Sequence, residues 1–103
     1  MGQERRQAPR FPFIASAEVL SESAGMRLSA RISDISATGC HVDTINPLVH
    51  GTAVRLKILT ETHTFEAGGT AVYSHTHLGM GLKFQEVPPN SQEVLQNWLP
   101  AVV

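Results

Sequence analysis

The sequence has a single cysteine, a formal net charge of −1 at pH 7 and only 6% aromatic residues. One cysteine, Cys40, cannot build an internal disulfide framework, so we expect a protein of a reducing compartment. No apolar run approaches the ~20 residues that a membrane-spanning helix needs, and residues 1–6 lack the hydrophobic region of a signal peptide. These absences predict a cytoplasmic protein without membrane insertion.

The low charge and the few aromatic rings also limit the partners that we expect. A net charge of −1 gives no overall attraction to nucleic acid or to an anionic membrane. A groove for single-stranded nucleic acid would need basic residues interleaved with exposed aromatic rings. We therefore expect no nucleic-acid partner. An anionic ligand would have to be held by positive charge that is clustered locally.

Residues that could act as nucleophiles, acid–base catalysts or metal ligands are few and poorly spaced. Cys40 directly precedes His41, and neighbours on a strand point to opposite faces, so the two cannot act as a pair. Ser36 has an acid nearby but no identified base. His75 and His77 could share one side of an extended chain, but a metal site needs three or four converging ligands. We expect no enzyme, no metal and no cofactor, and we place Cys40 in the core.

The chain does contain short runs in which apolar residues alternate with polar ones, a pattern typical of half-buried β-strands. The runs cover residues 11–20, 26–32, 40–44, 53–59, 64–74 and 78–84. Gly68 and Gly69 inside the fifth run predict a bulge or sharp bend, as small barrels use at corners. With 42% apolar residues in 103, the pattern predicts one small all-β domain, a six-stranded antiparallel β-barrel.

The apolar period changes near the carboxyl end. A single stripe of an amphipathic helix is formed there by Val94, Leu95, Trp98 and Leu99. We predict a C-terminal α-helix at about residues 90–99, with Asn90 as its N-cap, Glu93 in a loose capping box and Pro100 as its stop. The helix should cover one open end of the barrel with Trp98.

The segment between the second and third strands, Asp34-Ile35-Ser36-Ala37-Thr38-Gly39, holds more polar groups than a chain reversal requires. Asp and Ser side chains bond to nearby backbone and favour turns. Gly39 allows a positive φ, or the close approach of another molecule. Taken alone, the segment is an ordinary turn. A carboxylate, two hydroxyls and a glycine at one corner would also suit one half of a binding site.

Positive charge is concentrated in the first ten residues. The three arginines there are Arg5, Arg6 and Arg10. Pro9 disfavours a helix, so we interpret residues 1–10 as a flexible arm that leads into a single domain of residues 11–103. Arginine suits bidentate recognition of phosphate and of the guanine O6/N7 edge, and it stacks on flat rings. The alternative is that these arginines are simply solvated.

Three motifs, in this order, resemble those of the PilZ domain, the bacterial receptor module for cyclic di-GMP. They are Arg-x-x-x-Arg at residues 6–10, Asp-x-Ser-x-x-Gly at 34–39 and Gly-x-Gly-x-x-Phe at 79–84. Their order and separation, together with the strand pattern, make the resemblance specific, and it extends over roughly residues 4–99. The fold that it implies, a six-stranded barrel with a C-terminal helix, agrees with the fold that the periodicity predicts.

The resemblance implies a cyclic di-GMP site made by the arm and the turn. Arg6 and Arg10 would clamp guanine edges and phosphates. Asp34 would accept hydrogen bonds from a guanine or orient an arginine, and Ser36 and Gly39 would complete the base pocket, where a Gly39 side chain would collide with the ligand. The full set of expected ligand-binding residues is Arg5, Arg6, Arg10, Asp34, Ser36, Gly39, Gly79 and Gly81.

The resemblance also implies an effector without enzymatic activity. Ligand binding would order the arm across the barrel and pass the signal to an unidentified protein in motility, biofilm, exopolysaccharide or secretion control. Arg5 would suit the charge of a stacked pair of ligands, unless it points to solvent. Some members of the family are adaptors that have lost the ligand, but these usually lack the arginines or the Asp-x-Ser pattern that this chain contains.

Overall fold

A computed structural model of the protein describes residues 8–100, and it confirms the predicted barrel. The elements are β1 (Phe11–Ser21), β2 (Met26–Ile35), β3 (Gly39–Asp43), β4 (Ala53–Leu59), β5 (Thr64–His75), β6 (Gly79–Glu86) and α1 (Pro89–Trp98). The strands pair antiparallel in the order β1-β2-β3-β6-β5-β4, and β4 pairs with β1 to close the sheet. Closure satisfies the backbone groups that an open sheet leaves at its edges.

Alternation along the strands separates core from surface, as the apolar pattern predicts. In β1, Ala15, Ala17 and Val19 are buried while the residues between them are exposed. Cys40 is buried in the same core. Burial, with a smaller contribution from the negative charge of Asp34, raises the pKa of the Cys40 thiol. The thiol therefore stays protonated at neutral pH, which suits the predicted role of this residue in packing.

The second strand is longer than the sequence pattern predicts. The pattern ends this strand at Ile32 and puts Asp34 in the turn, and this prediction is wrong, because β2 continues to Ile35. A register shift between Ile32 and Asp34 lets both isoleucines face the core with no exposed surface, while Asp34 stays partly exposed opposite His41. The turn itself is therefore restricted to residues 36–38.

The pairing of β5 with β6 is irregular at the two adjacent glycines, in agreement with the predicted bulge. The register shifts between Gly68 and Gly69, and again between Ala71 and Tyr73. Each shift adds a residue to one strand without a counterpart on the other, which increases local twist. The second shift sets Tyr73 opposite Gly81.

The terminal helix begins one residue earlier than predicted and without the predicted cap. Pro88 is the extended N-cap residue, Pro89 is the first helical residue, and no side chain caps the first turn. The capping roles that we assigned to Asn90 and Glu93 were therefore wrong. Proline replaces a capping side chain here, since its φ is already helical and it has no amide to satisfy. No helix within residues 8–100 is both long and apolar enough to span a membrane.

The helix packs on the barrel through the predicted apolar stripe. Leu95 is fully buried in the core. The ring centroid of Trp98 lies 4.9 Å from that of Phe13 and 6.1 Å from that of Phe65. These tilted contacts between aromatic rings hold the helix against β1 and β5, where Trp98 packs against the core.

Ser91 anchors the helix to β5 through a partly buried hydrogen bond. Its Oγ accepts from the Glu66 amide at 2.9 Å, and Ser91 is 2% exposed. Ser91→Ala should lower the free energy of unfolding by about 1–3 kcal/mol, because the amide loses its acceptor. Urea unfolding measures the change, with the exposed Ser29→Ala on β2 as the matched control. An equal effect of the two substitutions would show that this bond does not stabilise the helix.

Candidate functional site

A row of paired residues crosses the outside of the barrel. Their register runs Pro12, Asp34, His41, Gly81 and Tyr73, on β1, β2, β3, β6 and β5 in turn. Residues directly opposite each other on antiparallel strands have Cβ atoms about 4.5–5.5 Å apart on one face. The row therefore brings together side chains that are far apart in the chain.

Gly81 makes the contact between two of these side chains possible. It lies between His41 and Tyr73, and a Cβ atom at this position would overlap the Tyr73 ring. With no side chain in the way, Tyr73 extends across β6, and its Oη lies 2.8 Å from His41 Nδ1. The motif glycine thus has a packing reason inside the protein.

Arg10 lies against this row. Its Nη2 donates to both carboxylate oxygens of Asp34 at 3.0 Å, and its Nε donates to Oδ1 at 3.3 Å. Nη2 also donates to Tyr73 Oη at 3.1 Å. The bond to Tyr73, followed by that to Asp34, raises the pKa of Arg10 above its ordinary value, although partial burial opposes the shift. Asp34 was expected either to accept hydrogen bonds from a guanine or to orient an arginine. In this structure its carboxylate is bonded to Arg10.

Ser36 builds the turn beside Arg10. Its Oγ accepts from the backbone amides of Thr38 at 3.2 Å and Gly39 at 3.1 Å, and the Ser36 amide donates to the Gly39 carbonyl at 2.8 Å. Ser36 is only 5% exposed, so its hydroxyl is engaged within the turn. Gly39 is tightly placed as well, by a contact within the protein, and its predicted closeness to a ligand stays a prediction. A side chain there would collide with the Leu82 carbonyl of β6, whatever a ligand does.

An open depression of about 410 Å³ lies next to Arg10. Its lining residues are Ala8, Arg10, Ser36, Thr38, Gly39, Cys40, Val72, Tyr73, Gly81, Leu82 and Lys83. A larger depression lies elsewhere on the barrel wall, but its lining includes Glu22 and Glu86, whereas no acidic residue among residues 8–100 lines the depression beside Arg10. Arg10 and Lys83 supply two cations at its surface, which suits an anionic ligand. We call the surface formed by Arg10, residues 36–39, Tyr73 and Gly81 the arm face.

The structure brings most of the predicted site residues to the arm face. The depression is lined by Arg10, Ser36, Gly39 and Gly81. Asp34 is not in the lining but is hydrogen-bonded to Arg10, which is. Gly79 does not line it.

Gly79 has a φ of 127° at the start of β6, and a Cβ atom there would collide with the Val42 carbonyl and the His41 ring. Its position serves the turn between β5 and β6. Arg5 and Arg6 lie outside the described residues.

The family model of the PilZ domain matches residues 4–100. The chain belongs to the PilZ domain family. This family forms a class of cyclic di-GMP receptors and effectors.

Two solved structures resemble this PilZ domain. The inhibitor of motility MotI/DgrA of Bacillus subtilis aligns with a TM-score of 0.69 and 22% identity, over 91% of this chain and 48% of that one. The PilZ domain of CeSA from a cellulose-synthesizing bacterium aligns with a TM-score of 0.69 and 14% identity, over 87% and 93%. At these identities the likeness shows the fold alone, and the chain spans about half the length of the motility inhibitor. A search of curated proteins found no significant match.

Sequence reasoning missed two residues of the candidate site, Tyr73 and His41, which are linked to Arg10 by hydrogen bonds. Tyr73 is the single tyrosine of the chain, but its proximity to Arg10 depends on a register that the sequence pattern does not reveal. His41 was considered only as a partner of Cys40. The prediction that His75 and His77 share one side of an extended chain is wrong. His75 is the last residue of β5, and His77 lies in the following turn with a φ of 69°. Within residues 8–100, no group of three or more His, Cys, Asp or Glu side chains could hold a metal ion.

The free energy of unfolding should distinguish the buried Ser36, which holds the turn together, from the partly exposed Asp34. Ser36→Ala should lower the free energy of unfolding by about 1–3 kcal/mol, because two amides of the turn lose their acceptor. Asp34→Ala should cost about 1 kcal/mol or less, because the Arg10 and Asp34 side chains are 44% and 27% exposed. Thermal and urea unfolding of both variants measure the difference. If Asp34→Ala costs as much as Ser36→Ala, the carboxylate is a structural element.

Proposed function

We propose that this PilZ domain is a receptor that binds cyclic di-GMP at the arm face and passes the signal to a partner protein. The observation that carries the proposal is the placement of Arg10. Asp34 and Tyr73 hold its guanidinium beside a depression whose wall is formed by the motif turn and by Gly81. Residues from all three motifs, namely Arg10, the turn residues Ser36 and Gly39, and Gly81, therefore line one surface.

The chemistry of Arg10 suits this ligand. Cyclic di-GMP carries two phosphates and two guanines, and a guanidinium can pair with either group or stack on a base. The Asp34 and Tyr73 bonds use Nε and Nη2 of Arg10, and Nη1 bonds to none of residues 8–100. Donors of Arg10 thus remain for a ligand while Asp34 keeps the plane of the guanidinium oriented.

The remaining arginines of the arm complete the proposed site. Arg6 is the first arginine of the Arg-x-x-x-Arg motif that ends at Arg10, and it would supply a second guanidinium. Arg5 would supply a third, which suits a stacked pair of ligands per chain. In this proposal, binding orders the part of the arm that precedes Arg10 across the barrel, and that ordering is the signal. Ordering costs free energy, so affinity should be moderate, and contacts between charges at the surface should weaken it with added salt.

Calorimetry with cyclic di-GMP tests the receptor directly. We expect micromolar binding to the wild type, weakened at least about tenfold by Arg10→Ala, since hydrogen bonds to charged groups contribute about 1.5–3 kcal/mol each. Asp34→Ala should weaken binding in the same direction. Arg27→Ala removes the same charge from the exposed far end of β2 and should leave binding unchanged. No heat at high ligand concentration would refute the receptor and favour an adaptor that acts through protein contacts alone.

The stoichiometry tests the role of Arg5. We expect two ligands per chain in the wild type and one in Arg5→Ala, because a stacked pair carries four phosphate charges on one surface. Arg5→Lys, which keeps the charge, is the matched control and should retain a fitted stoichiometry closer to two. A wild-type stoichiometry of one ligand per chain would contradict the stacked pair and leave Arg5 without this role.

A further inference from the structure

A chain of three hydrogen bonds runs from Arg10 to the turn between β5 and β6. Arg10 Nη2 lies 3.1 Å from Tyr73 Oη, and this oxygen lies 2.8 Å from His41 Nδ1. His41 Nε2 lies 3.2 Å from the carbonyl oxygen of Leu78. Gly81 permits this chain, because it leaves the space that the Tyr73 ring occupies.

The donors and acceptors give the chain a direction. A guanidinium only donates, so Tyr73 Oη accepts from Arg10, and its own proton is directed to His41 Nδ1. A carbonyl oxygen only accepts, so His41 Nε2 carries a proton. Every donor has an acceptor when His41 is neutral and protonated on Nε2 alone. A proton on Nδ1 would reverse the bond to Tyr73 and leave the tyrosine hydroxyl without this acceptor.

We propose that Tyr73 and His41 are positioning residues for Arg10, and that the arm face binds its ligand best when His41 is neutral. The inference rests on the proposed function, which makes Arg10 a ligand-binding residue. Tyr73 acts directly on the guanidinium. His41 acts through Tyr73, because it accepts the proton that orients the tyrosine oxygen toward Arg10.

Both acidic and basic groups surround His41, on its own strand and on the neighbouring elements, and their effects on its charge are of opposite sign. They are Asp43 on β3, Asp34 and Arg31 on β2, Arg10 on the arm and His75 on β5. Asp43 Oδ1 lies 3.6 Å from His41 Nε2 and favours a charged ring.

Asp43 is shared, however, since Arg31 Nε donates to it at 3.1 Å and Ser33 Oγ at 3.1 Å. Asp34 is likewise paired with Arg10. A charged His41 would therefore add a cation beside a tyrosine oxygen that already accepts from Arg10. The His41 side chain is 18% exposed, so little water is available to compensate.

The direction of the pH effect follows from the neutral state. Ligand affinity should be highest where His41 is neutral and should fall as the pH is lowered from about 8 to about 5, because a proton on Nδ1 reverses the bond to Tyr73. Ligand binding in turn should favour the neutral ring.

Calorimetry with cyclic di-GMP across that pH range, at constant ionic strength, tests the inference. Wild-type affinity should fall about three- to tenfold from the upper to the lower end of the range, the size expected for one hydrogen bond. His41→Asn keeps an acceptor but cannot gain a proton, so its profile should be flat. Tyr73→Phe should be about three- to tenfold weaker at the upper end, and also flat.

His63→Asn is the matched control, because His63 is exposed in the turn between β4 and β5, away from the arm face. It should keep the wild-type profile. Two results would overturn the inference: the same pH profile in the wild type and in His41→Asn, or undiminished affinity in a folded Tyr73→Phe protein.

Nitrogen NMR of the ligand-free protein tests the positioning without any ligand. We expect the Nε2-protonated tautomer of His41, and an Arg10 Nε signal that shifts as His41 titrates in the wild type but not in Tyr73→Phe. A proton on Nδ1 at high pH, or an Arg10 signal that ignores His41, would refute the positioning even if cyclic di-GMP binds. Absence of binding at every pH would instead refute the proposed function and its pH effect, while the NMR result still decides whether His41 positions Arg10.

Discussion

The register of the barrel strands is the constraint on which the candidate site depends. Pro12, Asp34, His41, Gly81 and Tyr73 stand in one row only because five strands pair in this alignment. A slip of one residue would turn the side chains of a strand to its other face and separate the row. Burial of the opposite faces prevents such a slip, since it would expose the core. The apolar interior thus determines where the polar groups of the arm face meet.

Two kinds of residue share the arm face, and physical criteria distinguish them. Ser36, Gly39 and Gly81 are buried or tightly packed, and each is explained by contacts within the protein. Arg10 and Asp34 are partly exposed, and their pairing contributes little to stability in water. The first group determines the shape of the surface. The second group presents charge there, and changing it should alter the free energy of unfolding only slightly. This difference makes the exposed pair the better candidate for ligand recognition, although both kinds belong to family motifs.

Local errors in the sequence interpretation had identifiable causes. The end of β2 was misplaced because a bulge changes the alternation after Ile32, so that Ile35 returns to the core. The helix cap was misassigned because Pro89 itself starts the helix, whereas capping rules favour the polar Asn90. Tyr73 and His41 were missed since each is unremarkable along its own strand. Their contact depends on Gly81 of a third strand, β6, which lies between them and has no side chain.

The sequence by itself determined the six strands, their inward faces, the terminal helix and the motifs that mark the family. These depend on periodicity and local chemistry, which the order of residues displays directly. Only the tertiary structure decided which motif residues meet, that Gly39 and Gly81 are constrained by β6 and by Tyr73, and that Arg10 is bonded to Tyr73 as well as Asp34. Those outcomes depend on strand register and bulges. Both arise from the packing of the whole barrel, so no single segment of the chain contains them.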